Sequence, residues 1–350
     1  MNVVSEIKLF KQIRSITPSA QLTLIAVLSG LIYLLLFTLP FPLTRYYNTI
    51  PPVDYTKLTN YSPVWLTSYV IGISLLFLLY LAGLRLVMHK AASTRGSTGQ
   101  TENPVSLPFV LGSSFSLALI SVFAYPLTAI DLFIYAIRTR GWAVYDLNPL
   151  ATAPEMLPAA DPWLGLAAEW VDAPSPYGPL WELLSLGLFT LSGGNFLTHL
   201  LALKLLMVII YLGCAGLIYL TLRRLQPAWA TAGTLAFAWN PLVIFESVQN
   251  AHNDIVMTFF LLAAVWAFAV WVTVSDSLQR KPSHFYPWLI CIFLALSVLV
   301  KFVTIIAVPF FMVAMAARFY GWWVRASSLV GYGLLTLALI IVPMLPLWPG

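Results

Sequence analysis

Apolar stretches long enough to cross a bilayer recur from one end of the sequence to the other, and this constrains the fold more than any single motif. Crossing the hydrocarbon core takes roughly 20 residues of helix. Runs of that order lie near 20–39, 64–88, 106–127, 196–222, 229–247, 253–274, 285–300, 302–320 and 326–346. In lipid every backbone N–H and C=O must be satisfied, which leaves helices or closed barrels, and these runs lack the period-two alternation of a barrel strand. Only 9% of the 350 residues are charged, against about 25% in soluble domains. The expectation is an all-α, polytopic transmembrane helical bundle of about nine spans with a long outer loop. The first run follows Lys8, Lys11 and Arg14 and ends in TLPFPLTRYY without a small-residue exit, so it reads as a retained span rather than a cleaved leader.

Charge placement orients the bundle. With the N-terminus cytoplasmic, the inner side receives Lys8, Lys11, Arg14, Arg85, Lys90, Arg95, Arg223, Arg224, Arg280, Lys281, Arg318 and Arg325, twelve of the 18 Lys and Arg residues. Lys204 falls within a span, and Arg45, Lys57, Arg138, Arg140 and Lys301 fall outside. The opposite orientation reverses the positive-inside bias. The expected location is the cell membrane, multi-pass. Ten of the 13 acidic residues, from Asp54 to Asp254, lie on or at the outer side. Carboxylates contribute little to topology, so their bias needs another cause. The net charge of +5 is spread over short inner loops and implies no nucleic-acid partner. Cys214 and Cys291 both sit inside apolar runs, without CxxC spacing, which argues against a disulfide framework. Residues 93–101 (STRGSTGQT) read as a flexible inner loop.

The longest stretch between spans, 128–195, exceeds an idle connector. Within it GPLWELLSLGLFTLSGG reads as an interfacial or re-entrant helix over 179–192, started by Pro179, ended by Gly193-Gly194, with Trp181 at headgroup level. Taking it as a span would put Arg223-Arg224 and Arg280-Lys281 outside.

Ionisable residues at span ends are costly unless solvated or paired, and point to function. Asp131 directly follows the third run and Asp254 opens the sixth, in NAHND, where Asn250, His252 and Asn253 share its turn. If 131–140 is helical, Tyr135 and Arg138 fall on the face of Asp131. Arg138 suits a phosphate, bound specifically or met by snorkelling to headgroups. Lys301, interrupting LSVLVKFVTIIAVP, carries the same two readings. Tyr177-Gly178, bracketed by prolines in APSPYGPLWELLS, is a rigid turn and a wall of the same outer site. His252 reads as a hydrogen-bonding neighbour rather than a metal ligand, since no histidine lies at i+4. Carboxylates suit proton abstraction and sugar hydroxyls, cations suit phosphate, and Tyr or Trp faces suit sugar rings or lipid. No P-loop or GxGxxG motif is present, and the site faces away from the side where nucleotide donors are made.

Four segments carry a resemblance: DLFIYAIRTRGWAVYDLNPL (131–150), APSPYGPLWELLS (173–185), WNPLVIFESVQNAHNDIVM (239–257) and LVKFVTIIAVP (299–309). In order and spacing over roughly 125–320 the chain resembles the GT-C superfamily of membrane glycosyltransferases, and more narrowly the polyprenol-phosphomannose-dependent α-1,6-mannosyltransferases. The resemblance implies that Asp131 is the base in an outer loop, that Asp254 is the second acidic position, and that Tyr177, Gly178 and Pro179 form the family's turn. It also implies that Lys301 is the basic residue before an apolar half-helix. Many members have paired acids in the first loop, but here Leu132 follows Asp131, which leaves open whether Asp131 acts alone.

The expected function is transfer of a hexose, mannose first, from a polyprenyl-phosphate sugar to a glycan or glycolipid acceptor on the outer face, inverting, with an Asp base. Asp131 and Asp254 are the candidate catalytic residues. Tyr135, Arg138, Tyr177, Trp181, Asn250, His252, Asn253 and Lys301 are the candidate substrate-binding residues. The expected partners are the lipid-linked donor, the acceptor and membrane lipids. No cofactor is required by this scheme, and a divalent metal is left open. The expected organisation is an N-terminal two-span region, 1–105, and a catalytic region, 106–350, with residue 350 short of the family's usual length. The rival classes are a transporter or lipid flippase, which would place polar groups at the midplane of two matching halves, and a non-catalytic membrane subunit of a glycan-assembly complex.

Overall fold

The computed structural model describes residues 17–48, 55–94, 105–166, 169–278 and 285–348. Lys8, Lys11, Arg14, Asp54, Arg95, Arg280, Lys281 and most of the 93–101 loop lie outside the described residues. Among those described there is no strand; one antiparallel bridge joins Pro42 to Ala124. Besides single turns at Leu43–Tyr46 and Tyr55–Leu58, the described residues form the helices α1 (Pro18–Ile32, continued by a π-helical turn to Thr38), α2 (Pro63–Thr94), α3 (Leu107–Val122), α4 (Asp131–Tyr145), α5 (Pro179–Leu191), α6 (Phe196–Leu225), α7 (Ala230–Ala238), α8 (Pro241–Ile244, continued as a π-helix over Phe245–Gln249), α9 (Asp254–Leu278), α10 (Phe285–Val300), α11 (Ala307–Ala316) and α12 (Trp322–Met344). Local sequence marks their starts. Thr17, Ser106, Asn195 and Asn240 each accept a backbone N–H of their own first turn, the usual N-cap satisfaction of an orphan donor.

Among the described residues, five helical segments are long and apolar enough to cross a membrane: Pro18–Thr38, Pro63–His89, Phe196–Leu225, Asp254–Val274 and Trp322–Leu347. A sixth, near the expected 229–247 run, is broken: Pro227–Ala238 and Pro241–Gln249 meet at 53°. Pro241 is the cause, since the residue before a proline is pushed out of the α region, and Asn240 is extended at φ −65°, ψ 118°. The remaining three expected spans form shorter helices, Leu107–Val122, Phe285–Val300 and Phe302–Ala316. The nine-run reading therefore locates the helices, but five or six of them have spanning length. The molecule is an all-α polytopic membrane protein. Many of its large apolar side chains, such as Leu28 and Leu35 on α1 and Leu334 and Ile341 on α12, lie exposed on the bundle's flanks, where lipid rather than water is their solvent.

The outer loop is built rather than slack. Helix α4 is buried from Leu132 through Thr139, beneath the segment 146–178. Asp161 ties that segment down. It accepts Arg140 Nε at 2.6 Å, Tyr145 Oη at 2.7 Å and the Trp163 N–H at 2.8 Å, while the Arg140 guanidinium lies 4.9 Å from the Trp163 ring centre. Helix α5 ends at Gly193 and Gly194, both at positive φ, as its sequence requires. The structure corrects one expectation for α5. Trp181 is completely buried, packed at 4.8 Å edge-on against Tyr135, because α4 lies against that face of α5.

Candidate active site

Four chain segments meet at one end of the bundle: the start of α4, the 175–178 turn, the link between α8 and α9, and the break after α10. Asp131 and Asp254 are the first residues of α4 and α9, where free N–H groups favour a negative charge. Asp131 accepts the Tyr177 hydroxyl at 3.0 Å on Oδ1 and faces His252 Nε2 at 3.2 Å on Oδ2. The other ring nitrogen, Nδ1, lies 2.9 Å from Glu246 Oε2. With a carboxylate at each nitrogen, both must donate, and the ring is an imidazolium. Burial disfavours that charge, but the Asp131 and Glu246 carboxylates outweigh it and carry the His252 pKa up to about 9. Burial likewise raises Asp131, yet the hydrogen bond and charge of His252, with the Tyr177 hydroxyl, hold it below the ordinary carboxylate range. Asp131 is therefore ionised and partly exposed, with the Tyr177 hydroxyl on one oxygen and His252 on the other.

Asp254 is bound by Lys301, whose Nζ donates to both carboxylate oxygens at 2.9 Å. The same ammonium sits 5.6 Å from the centre of the Tyr177 ring. Tyr177 thus stands between the two carboxylates, its hydroxyl on one and its face toward the cation held by the other. Lys301 is extended at φ −151°, ψ 118°, which ends α10 and turns the side chain into the site. The Tyr177 turn is docked by backbone: the Gly178 N–H donates to Val300 O at 2.9 Å, and the Ser175 N–H to Pro149 O at 2.8 Å. Buried Ser175 donates to Glu182 Oε1 and accepts the Tyr177 N–H at 3.3 Å.

The sequence-derived candidates divide in space. Asp131, Tyr177, His252, Asp254 and Lys301 line one partly open cluster. Tyr135 is buried below it, its ring 5.3 Å from Tyr177 and nearly perpendicular, so it supports Tyr177 rather than facing solvent. Asn250 is buried and donates to Thr128 Oγ1 at 2.6 Å and Glu246 Oε2 at 3.1 Å, joining the α8–α9 link to the residues before α4. Asn253 is wholly buried with no side-chain partner. Arg138 departs from the expectation of headgroup depth. It shares a face with Asp131 and Tyr135, but segment 146–178 covers that part of α4. The guanidinium is buried and donates to the carbonyls of Ala173 and Pro174 at 3.1 and 3.3 Å, and so braces the turn. Among the described residues no group of three or more His, Cys, Asp or Glu side chains is placed to hold a metal ion.

Two participants were not legible as such. Glu246 is six residues before His252, and in an uninterrupted α-helix residues six apart face different ways. The π-helix over Phe245–Gln249 and the left-handed Ala251, φ 58°, fold the link back so that the two meet. Lys204, which reads as an ordinary span lysine, is fully buried and donates to Ala124 O and Gln249 O. It satisfies carbonyls that the ends of α3 and of the π-helix leave free, and so anchors the floor of the link.

Comparison with known proteins places this arrangement. Over 241 residues the chain is 26% identical to a probable alpha-(1->6)-mannopyranosyltransferase of Mycolicibacterium smegmatis, covering 63% of this chain and 42% of that protein. Over 104 residues it is 29% identical to an alpha-(1->6)-mannopyranosyltransferase of Mycobacterium tuberculosis, covering 29% of this chain and 17% of that one. The chain thus spans less than half the length of either relative. No solved structure matches it significantly. A family model, described as the N-terminal domain of alpha-(1->6)-mannopyranosyltransferases, matches residues 41–317, an interval that contains every residue of the cluster from Asp131 to Lys301. The chain belongs to the alpha-(1->6)-mannopyranosyltransferase family.

Proposed function

We propose that the protein transfers mannose from a polyprenyl-phosphate donor to a glycan or glycolipid acceptor on the extracytoplasmic face, by an inverting single displacement with Asp131 as base. The observation that carries this reading is an ionised, partly exposed Asp131 oriented by Tyr177 and His252, with a cation, Lys301, on the far side of the same tyrosine. An acceptor hydroxyl attacks the anomeric carbon and passes its proton to the Asp131 carboxylate. The new C–O bond forms as the bond to the phosphate oxygen breaks, and the lipid leaves as its phosphate. Lys301 meets the growing phosphate charge, an electrostatic contribution of the kind worth about 3 kcal/mol where a single such group has been removed. Asp254, the resting counterion of Lys301, then turns to sugar hydroxyls. The α-1,6 linkage is proposed from the family.

The test is direct. Purified protein in lipid is offered polyprenyl-phosphate mannose, glucose and arabinose in turn, with linkage analysis of the product. Transfer of mannose supports the reading. No transfer from any lipid-linked donor, with facilitated movement of the lipid across the bilayer instead, favours the transporter class, to which the broken α7–α8 helix would then belong.

Two expectations follow within this reading. Lys301→Ala is expected to lower kcat/KM for the donor by about 10- to 100-fold, the worth of a charge-assisted contact, with little loss of folded protein. Asp254 is about half exposed, and pairs of that kind stabilise by about 1 kcal/mol or less. Normal donor dependence in this variant removes the phosphate role. For orientation, Leu191 at the end of α5 is 84% exposed and Leu225 at the end of α6 is 48% exposed, and the free cysteines Cys214 and Cys291 are buried. An impermeant thiol reagent added outside intact cells is expected to label Leu191→Cys and spare Leu225→Cys. The reverse pattern puts the site on the inside.

A further inference from the structure

We propose that Glu246 is a positioning residue for the transfer reaction: through His252 it fixes the carboxylate of Asp131 in the orientation that takes the acceptor proton. The inference rests on the reading of Asp131 as base. Its ground is a relay of three side chains, two from the link between α8 and α9 and one from the start of α4. Glu246 Oε2 lies 2.9 Å from His252 Nδ1, and His252 Nε2 lies 3.2 Å from Asp131 Oδ2. The arrangement is braced at both ends. The His252 N–H donates to the Glu246 carbonyl at 2.9 Å, Asn250 Nδ2 donates to Glu246 Oε2 at 3.1 Å, and Tyr177 holds the other oxygen of Asp131.

The chemistry needs the far carboxylate. A lone histidine beside an aspartate has two neutral tautomers, and one of them turns an unprotonated nitrogen toward Asp131 or competes with it for the acceptor proton. An acceptor at Nδ1 removes that choice, because both nitrogens then carry protons and only Asp131 is left as a base. The charged and titratable groups facing the imidazole are Asp131 from α4, Glu246 from the π-helix, Tyr177 through Asp131, and Tyr69 of α2, which lies within electrostatic reach of Glu246. The raised pKa of His252 gives the sign. The imidazolium is complete below its ordinary value near 6.5 and persists until pH rises through about 9.

The experiment is the pH dependence of kcat/KM for mannose transfer, measured on the wild type, Glu246→Gln, His252→Gln and Asp131→Asn. The wild type is expected to lose activity on the alkaline side near the His252 titration. Glu246→Gln keeps an acceptor oxygen of the same size but removes the charge, so its alkaline limb is expected to move down by about one pH unit or more. His252→Gln, which donates without titrating, is expected to lose that limb while keeping measurable transfer. A Glu246 that only staples the α8–α9 link would lower stability and leave the limb in place. An unmoved limb in Glu246→Gln, or a limb that survives in His252→Gln, overturns the inference while inactive Asp131→Asn leaves the base reading standing. Full activity in Asp131→Asn overturns both.

Discussion

Replacing Gly178 with alanine is expected to cut transfer by about 100-fold, the scale on which a displacement of about 1 Å at a site is felt, without removing a polar side chain. Gly178 is not required for its backbone angles, which at φ −83°, ψ 164° suit any residue. It is required for space. A Cβ there would lie 2.1 Å from the Leu299 carbonyl oxygen and 2.5 Å from its carbon. Those are backbone atoms at the end of α10, so no rotamer change relieves the overlap. The turn must lift away, breaking the Gly178 N–H bond to Val300 O and carrying Tyr177 off Asp131 and off the Lys301 ammonium. Overpacking of this kind costs about 1–3 kcal/mol, so folded protein remains to be assayed. Gly187, within α5, has nothing near its would-be Cβ, and Gly187→Ala should leave transfer unchanged. The two variants, assayed for transfer rate and thermal unfolding, check the claim; an active Gly178→Ala removes the turn from the site.

The bundle was largely legible because a membrane span states itself in one dimension, as about 20 apolar residues. The break at Asn240-Pro241 was also written in the sequence, but the hydropathy of 229–247 averages across it. The run read over 106–127 overshoots α3, which ends at Val122, for the same reason, since apolar residues continue past the point where the backbone turns. In the site, span-end logic leads to Asp131, Asp254 and Lys301, because an ionisable group beside hydrocarbon needs a reason to be there. It does not reveal that Lys301 and Asp254 bind each other, being 47 residues apart. Arg138 reads as facing the outer site from its helical phase, and Trp181 as lying at headgroup level from its residue type. Burying them takes the return of segment 146–178 over α4 and the packing of α5 on α4, which no local pattern encodes. Glu246 stayed hidden because a π-helical turn and a left-handed alanine change the phase between it and His252.

Asp131→Asn carries the other large effect. The amide keeps the size of the side chain and still accepts the Tyr177 hydroxyl, so the turn and the α4 start should hold and the donor should bind. What it loses is basicity: an amide does not take a proton from an attacking hydroxyl. General-base contributions run to about 100- to 10,000-fold, and a loss on that scale is expected. Asp254→Asn should be milder, because its proposed part is to accept hydrogen bonds, which an amide oxygen still does. The most direct measurement is therefore the rate of mannose transfer from polyprenyl-phosphate mannose by wild type, Asp131→Asn and Asp254→Asn, side by side with donor binding to each. The account predicts near-wild-type donor binding in all three, transfer abolished in Asp131→Asn and only lowered in Asp254→Asn. Full transfer by Asp131→Asn contradicts it.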